Sequence, residues 1–268
     1  MTNTRSIYED NLVEALLSVS KSKREFASAA GVDVYSRNPV LQKELDSVAR
    51  AEAAGGFGAS TAVAVATFAG SLATSNLQRA DELNDILRTR SAAELRSASR
   101  KALTQSGVPD PLTERFLDHY WYSPRHETVI AASLLAIMGA AGREHFIERA
   151  LAANSEESAL FFQQVAEMMR GFHTTVAPIE RIEIFFGIPL IHGRGGSIAA
   201  LLPFDRVHWT ARTAEVAAYV ARTHPKIVSA GKLVLWTPGT LTERARQGFA
   251  ALGIGVRERT DAILPMLD

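Results

Sequence analysis

The residues with the most chemical character sit late in the chain, in the run His192-Gly193-Arg194-Gly195-Gly196-Ser197. Glycines let backbone N–H groups approach a bound anion, and the Arg194 guanidinium adds a fork of donors suited to phosphate or carboxylate. His192, Arg194, Gly195, Gly196 and Ser197, with Asp205 and His208 a few residues on, form the candidate ligand-binding set. The same residues permit a hydrolase reading, in which Ser197 attacks, Asp205 orients and His208 or His224 acts as base. That reading lacks the G-x-S-x-G nucleophile elbow. No Gly-Lys-Ser/Thr completes a Walker loop either, nor is there a G-x-G-x-x-G. The plain alternative is a turn joining two strands.

Other constellations are weaker. His119, His126, His145 and His173 fall near Glu127, Glu144 and Glu167 on adjacent predicted helices. Helical bundles do build carboxylate–histidine metal sites, but no H-x-x-x-H, HExxH or repeated Glu-x-x-His spacing occurs, so no metal is assigned. His119-Tyr120-Trp121-Tyr122 reads as a layer closing a core or as a partner-binding patch. From Pro203 onward, nine Lys and Arg face six acids, too slight an excess for nucleic acid. The closing stretch is similar in shape to the last βαβ of restriction-endonuclease-like domains. The acid and the E-x-K or Q-x-K those enzymes carry on preceding strands are absent, so no family is assigned.

The totals narrow the classes further. The 268 residues suffice for a substantial core, and Lys+Arg and Asp+Glu balance at 29 each, leaving no field to draw polyanions. The absence of cysteine excludes disulfides, thiolate catalysis and Cys-based zinc or iron–sulfur sites. The polar, acidic N-terminus is no signal peptide, so a cytoplasmic location is expected, or a periplasmic one if a leader has been removed.

Elements must position these groups. Residues 51–74 contain one charge, Glu52, and are otherwise almost all small side chains, which predicts a buried central helix wrapped by others. A membrane-inserting helix is the alternative, since ~20 apolar residues span a bilayer, though small residues insert weakly. An amphipathic helix is predicted over residues 7–30, and another from Asn38-Pro39. Charged surface helices follow over 81–90 and 92–106, with Arg96, Arg100 and Lys101 on a solvated face. Asp110-Pro111 and Ser123-Pro124 each open a helix, the second apolar on all sides. Asn154 with Glu157 suggests a capping box before the stripe Phe161, Val165, Met168 and Phe172.

Near Pro178 the character changes. Residues 182–191 read as one strand, 198–202 and 207–209 as two more, and 210–222 as a helix. Leu233 to Trp236, a helix opened by a Thr240/Glu243 box, and residues 254–257 form a βαβ unit with parallel strands.

The expected fold is therefore mainly α: a multi-helix bundle (1–177) around the small-residue helix, then a small α/β module (178–268) containing the βαβ unit. The leading functional expectation is a non-catalytic interaction or scaffold protein, with a protein partner or self-association, no nucleic acid and no cofactor. The alternatives are a small-anion-binding protein or hydrolase at the HGRGGS loop, and a membrane-active protein using residues 51–74.

Overall fold

A computed structural model of the chain describes residues 89–267 together with Leu83, Ile86 and Leu87. The helices expected over 7–30 and from Asn38-Pro39, the small-residue segment 51–74 and half of the residues 81–90 lie outside the described residues. What is described is about half helical, with eight helices and a mixed five-stranded sheet. Among the described residues no helix is long and apolar enough to cross a membrane.

The helical half comprises α1 (Ala92–Gln105), α2 (Asp110–Leu117), α3 (Pro124–Ala136), α4 (Arg143–Ala150) and α5 (Glu156–Thr175). Ser123 caps α3 in a reciprocal box with His126, and Pro124 presets its first turn. As its uniform apolar pattern predicts, α3 is buried from His126 to Leu134, packed between α1 and α5. The cap of α5 is Ser155 with Ser158, not Asn154 with Glu157, because the Ser155 hydroxyl is the group that reaches the Ser158 amide. The expected stripe along α5 is buried over its whole length.

Of the charges expected on a solvated face of α1, Arg100 and Lys101 are exposed, and Arg96 and Arg100 also tie the helix to the α2 region. Arg100 makes a two-point contact with Glu114, with Nη2 to Oε2 at 2.9 Å, and Arg96 reaches the Leu117 carbonyl and the Asp118 carboxylate.

In the second half, β1 (Ile179–Phe185), β2 (Ile188–Gly193) and β3 (Ser197–Leu201) form an antiparallel meander. Helices α6 (Ala211–Thr223) and α7 (Pro225–Ser229) cross over to β5 (Leu233–Trp236), parallel to β3. The predicted βαβ unit follows: α8 (Glu243–Ala251) leads from β5 to β7 (Gly255–Arg257), and the two strands are parallel. The two-residue strands β4 (Arg206–Val207) and β6 (Thr240–Leu241) pair with each other. That pairing takes Thr240 out of the expected helix start, and Thr242 caps α8 instead.

The single strand expected over 182–191 is in fact a hairpin, turning at Phe186-Gly187. Both turn residues have positive φ (49° and 75°), as a two-residue primed turn requires. Such a conformation is normally reserved for Gly, Asn or Asp, so Phe186 gave no turn signal.

Side chains alternate between the two sheet faces. One face lies on α5, where Phe172 meets Trp236 edge-on at 5.5 Å; the other is covered by α6 and α8. A contiguous core joins Phe116, Phe146 and Phe162 to Ile191, Leu201 and Trp236. The C-terminal segment then crosses α5, where the Leu264 backbone comes so near Gly171 that a side chain there would press on it. The Leu267 amide donates to the buried Glu167 carboxylate at 2.7 Å, which Gln163 also contacts.

One buried acid in this core lacks full satisfaction. Glu127 Oε2 has no hydrogen-bond partner, and burial pushes its carboxyl up to about 7, with Asp118 adding to the rise and Arg96 and Arg100 opposing it. A raised carboxyl pKa means the native state holds the proton more tightly than the unfolded chain. Its stabilising contribution is complete below the ordinary carboxyl range and is lost as pH rises through about 7. Glu127→Gln should therefore gain about 1–2 kcal/mol over the parent at pH 8 and almost nothing at pH 4, after allowance for solvent screening. Urea denaturation of both proteins at the two pH values checks this; an equal effect at both would contradict it.

Candidate functional site

The HGRGGS run is the β2–β3 hairpin. Gly193 pairs with Ser197, and Arg194-Gly195-Gly196 make the turn, with positive φ at Gly195 (88°) and Gly196 (81°). The Arg194 side chain is largely exposed and lies 3.6 Å from Glu180. Its amide donates to the Pro178 carbonyl at 2.8 Å, so that group is committed within the fold.

The register also separates the proposed hydrolytic groups. His192 pairs with Ile198 and Gly193 with Ser197, so His192 and Ser197 face opposite sides of the sheet. The Ser197 hydroxyl is buried on the α5 side, close to Gly193 and Phe172, without a hydrogen-bond partner. Asp205 and His208 lie beyond the far end of β3, at least roughly 13 Å of strand from Ser197. The Asp205 carbonyl accepts from Thr240, and His208 is exposed, its carbonyl accepting from Thr213. Ser197, Asp205 and His208 thus do not converge.

The histidines considered for metal are engaged separately. His119 Nε2 lies 3.1 Å from the Leu151 carbonyl, His126 closes the α3 cap, and His173 Nδ1 accepts from the Ile179 amide at 3.0 Å. Among the described residues no group of three His, Asp or Glu converges. Of the aromatic quartet, Tyr122 is buried with its hydroxyl donating to Ala150, while Tyr120 stands 86% exposed beside Trp121. Trp236 is buried against α5.

What the sheet does assemble is on its α6 face. Arg181, Glu183 and Phe185 on β1 stand opposite His192, Leu190 and Ile188 on β2. His192 Nε2 lies 2.8 Å from Glu183 Oε2, and Arg181 contacts both residues. Burial holds the His192 imidazole below its ordinary value; the Glu183 hydrogen bond opposes this, while Arg181 and His224 add to it. His192 is therefore neutral at pH 7.

Next to this polar corner the same face is wholly apolar. Leu190, Ala200, Leu233 and Leu235 form a floor, roofed by Val216, Ala217 and Val220 of α6 and closed at the side by Phe249. They enclose about 80 Å³ of empty space. The cavity exists because α6 does not settle onto the sheet: of its 13 residues only Ala217 is buried. The side chains of Ala217 and Ala200 are too small to fill the gap that they help to line. Thr213 is the single polar lining residue, and its hydroxyl already donates to the His208 carbonyl at 2.9 Å.

The rim is aromatic. Phe186 packs on Tyr219 of α6 at 4.2 Å, and Phe185 on His224 at 4.7 Å. No local pattern in the sequence marks this cavity, whose lining comes from strands and helices far apart along the chain. His224, which the sequence offered only as a possible base, joins His192 as a candidate that the fold brings near it.

Comparison of the chain with protein families, with curated proteins and with solved structures gives no match.

A helix held by one fully buried side chain opens more readily than one buried along its length. Amides of α6 should exchange with deuterium at least ~100-fold faster than those of α5, as followed by native-state exchange and NMR. Equal protection in the two helices would contradict the reading of α6 as a loosely seated cover.

Proposed function

We propose that the protein is a non-catalytic binding protein whose ligand is a small apolar molecule held between the sheet and α6. The observation that carries this reading is the empty apolar space beneath a helix that is half-buried rather than sealed down. Apolar cavities of ~150 Å³ stay dry and take up benzene-sized ligands. The present cavity is smaller, so a ligand of that size requires a modest outward shift of α6, which its sparse burial permits.

The chemistry of the lining supports binding rather than turnover. The groups expected to attack and to accept a proton point to different faces or lie at opposite ends of β3. The interaction expectation keeps one supporting observation of its own, the exposed Tyr120 and adjoining Trp121 at the α2–α3 corner. A protein partner there is compatible with a ligand-responsive α6.

Toluene is a suitable probe. At ~100 times its dissociation constant it should add about 2.7 kcal/mol of stability, visible as a rise in Tm. Ala217→Phe, which places a ring in the cavity, should abolish that rise. A Tm indifferent to toluene in the parent, or a rise that survives the substitution, would refute the cavity as a binding site.

A further inference from the structure

We infer that the cleft between α4 and the edge of β1 takes an extended peptide as an added strand, and that this peptide carries lysine or arginine at alternate positions. The inference owes nothing to the cavity beneath α6. In the order β1-β2-β3-β5-β7 the strand β1 is outermost, and at seven residues it is the longest in the sheet. An open edge is a template for a further strand, so folds normally cover, bulge or shorten it. Here only the first part is so treated. A bulge falls between Ile179 and Arg181, and Ala141 bridges Arg181. The Ala141 amide donates to the Glu180 carbonyl at 2.9 Å, and its carbonyl accepts from the Ile182 amide at 2.8 Å. The chain then leaves the edge at Gly142, whose φ of 83° turns it into α4.

Beyond Ile182 the edge is uncovered. Backbone polar groups of a strand point alternately to its two sides. Since the Ile182 amide points outward to Ala141, that of Ile184 points outward too. Opposite Ile184 stands Pro189, which has no N–H to offer its carbonyl. The Ile184 N–H and C=O therefore face the cleft, with no backbone partner among the described residues. The cleft is open and has a volume of about 680 Å³, ample for a few residues of extended chain.

Its other wall is α4, which runs alongside β1. Gly142, at the start of the helix, lies so near the Ile182 carbonyl that a side chain there would strike it. Arg149, near the end, donates to the Gly187 carbonyl at 3.2 Å. The helix face turned to the cleft carries Glu144 and Glu148, one turn apart. Glu144 lies 3.7 Å from His145 Nδ1, and Glu148 is exposed. The two arginines of the lining are already engaged, Arg149 with Gly187 and the Phe162 ring, Arg181 with Glu183. What the wall offers a newcomer is thus two carboxylates about 6 Å apart. Alternate side chains of an extended strand recur on one face at about 6.6 Å. A Lys-x-Lys or Arg-x-Arg segment hydrogen-bonded to Ile184 therefore sets one cation beside each glutamate.

The test titrates the intact chain by NMR, at low salt and pH 7.5, with acetyl-Val-Lys-Val-Lys-Val-amide. Two controls accompany it: the glutamate counterpart, and the lysine peptide N-methylated at its three central amides. The lysine peptide should bind, shift the Ile184 amide and slow its exchange with solvent. The glutamate peptide should bind at least about fivefold more weakly. So should the N-methylated peptide, which keeps its charge but cannot donate to the sheet edge. In Glu144→Gln/Glu148→Gln, which alters two surface positions, the difference between the charged peptides should shrink to about twofold or less. No binding of the lysine peptide, binding that spares Ile184, or equal binding of the N-methylated form would overturn strand addition. Equal affinity for the two charged peptides would overturn the basic partner. An Ile184 amide that gains protection with protein concentration alone would assign the edge to a second copy of this chain and overturn the inference.

Discussion

The five-stranded sheet must bury two apolar faces, and the chain covers them unequally. On one side lies α5, twenty residues long, its stripe of Phe161, Phe162, Val165, Met168, Met169 and Phe172 at or near zero exposure. On the other, α6 offers mainly Ala and Val and buries a single side chain. Dispersion attraction forfeited across a gap is not recovered elsewhere, so a tightly packed interior normally closes such a space. Here the small side chains of Ala200 and Ala217 leave it open. The sealed face carries the fold; the loosely covered face carries the cavity.

This division also explains why Ser197, Asp205 and His208 do not come together. Strand alternation is indifferent to chemical appeal: neighbouring residues in β2 and β3 go to opposite faces. Ser197 is thereby delivered to the α5 side and His192 to the α6 side. Arg194 and its glycines make a surface turn whose arginine amide is already used by Pro178. What remains on the α6 face is a histidine joined to a glutamate and an arginine, and hydrocarbon.

Much of the fold was legible because it follows local rules. The all-round apolar α3, the stripe of α5 and the parallel βαβ unit could each be read from spacing and caps. The misreadings have local causes. Phe186-Gly187 hid a hairpin because a bulky aromatic occupies a turn position that usually announces itself with Asn or Gly. Thr240 lost its cap role because β4, distant in sequence, pairs with it. The cavity was not legible at all: it is a deficit of volume between segments as far apart as Phe185 and Ile254, and no single stretch records it.

The claim that the α6 face, rather than the helical core, is open to small apolar molecules is most directly tested by methyl NMR under xenon pressure. Each methyl-bearing side chain reports whether xenon enters beside it. The account predicts shifts at Leu190, Val216, Val220, Leu233 and Leu235, with the methyls of Val129, Ile130 and Val165 unmoved. Shifts spread evenly over both sets, or confined to the helical core around α3, would contradict it.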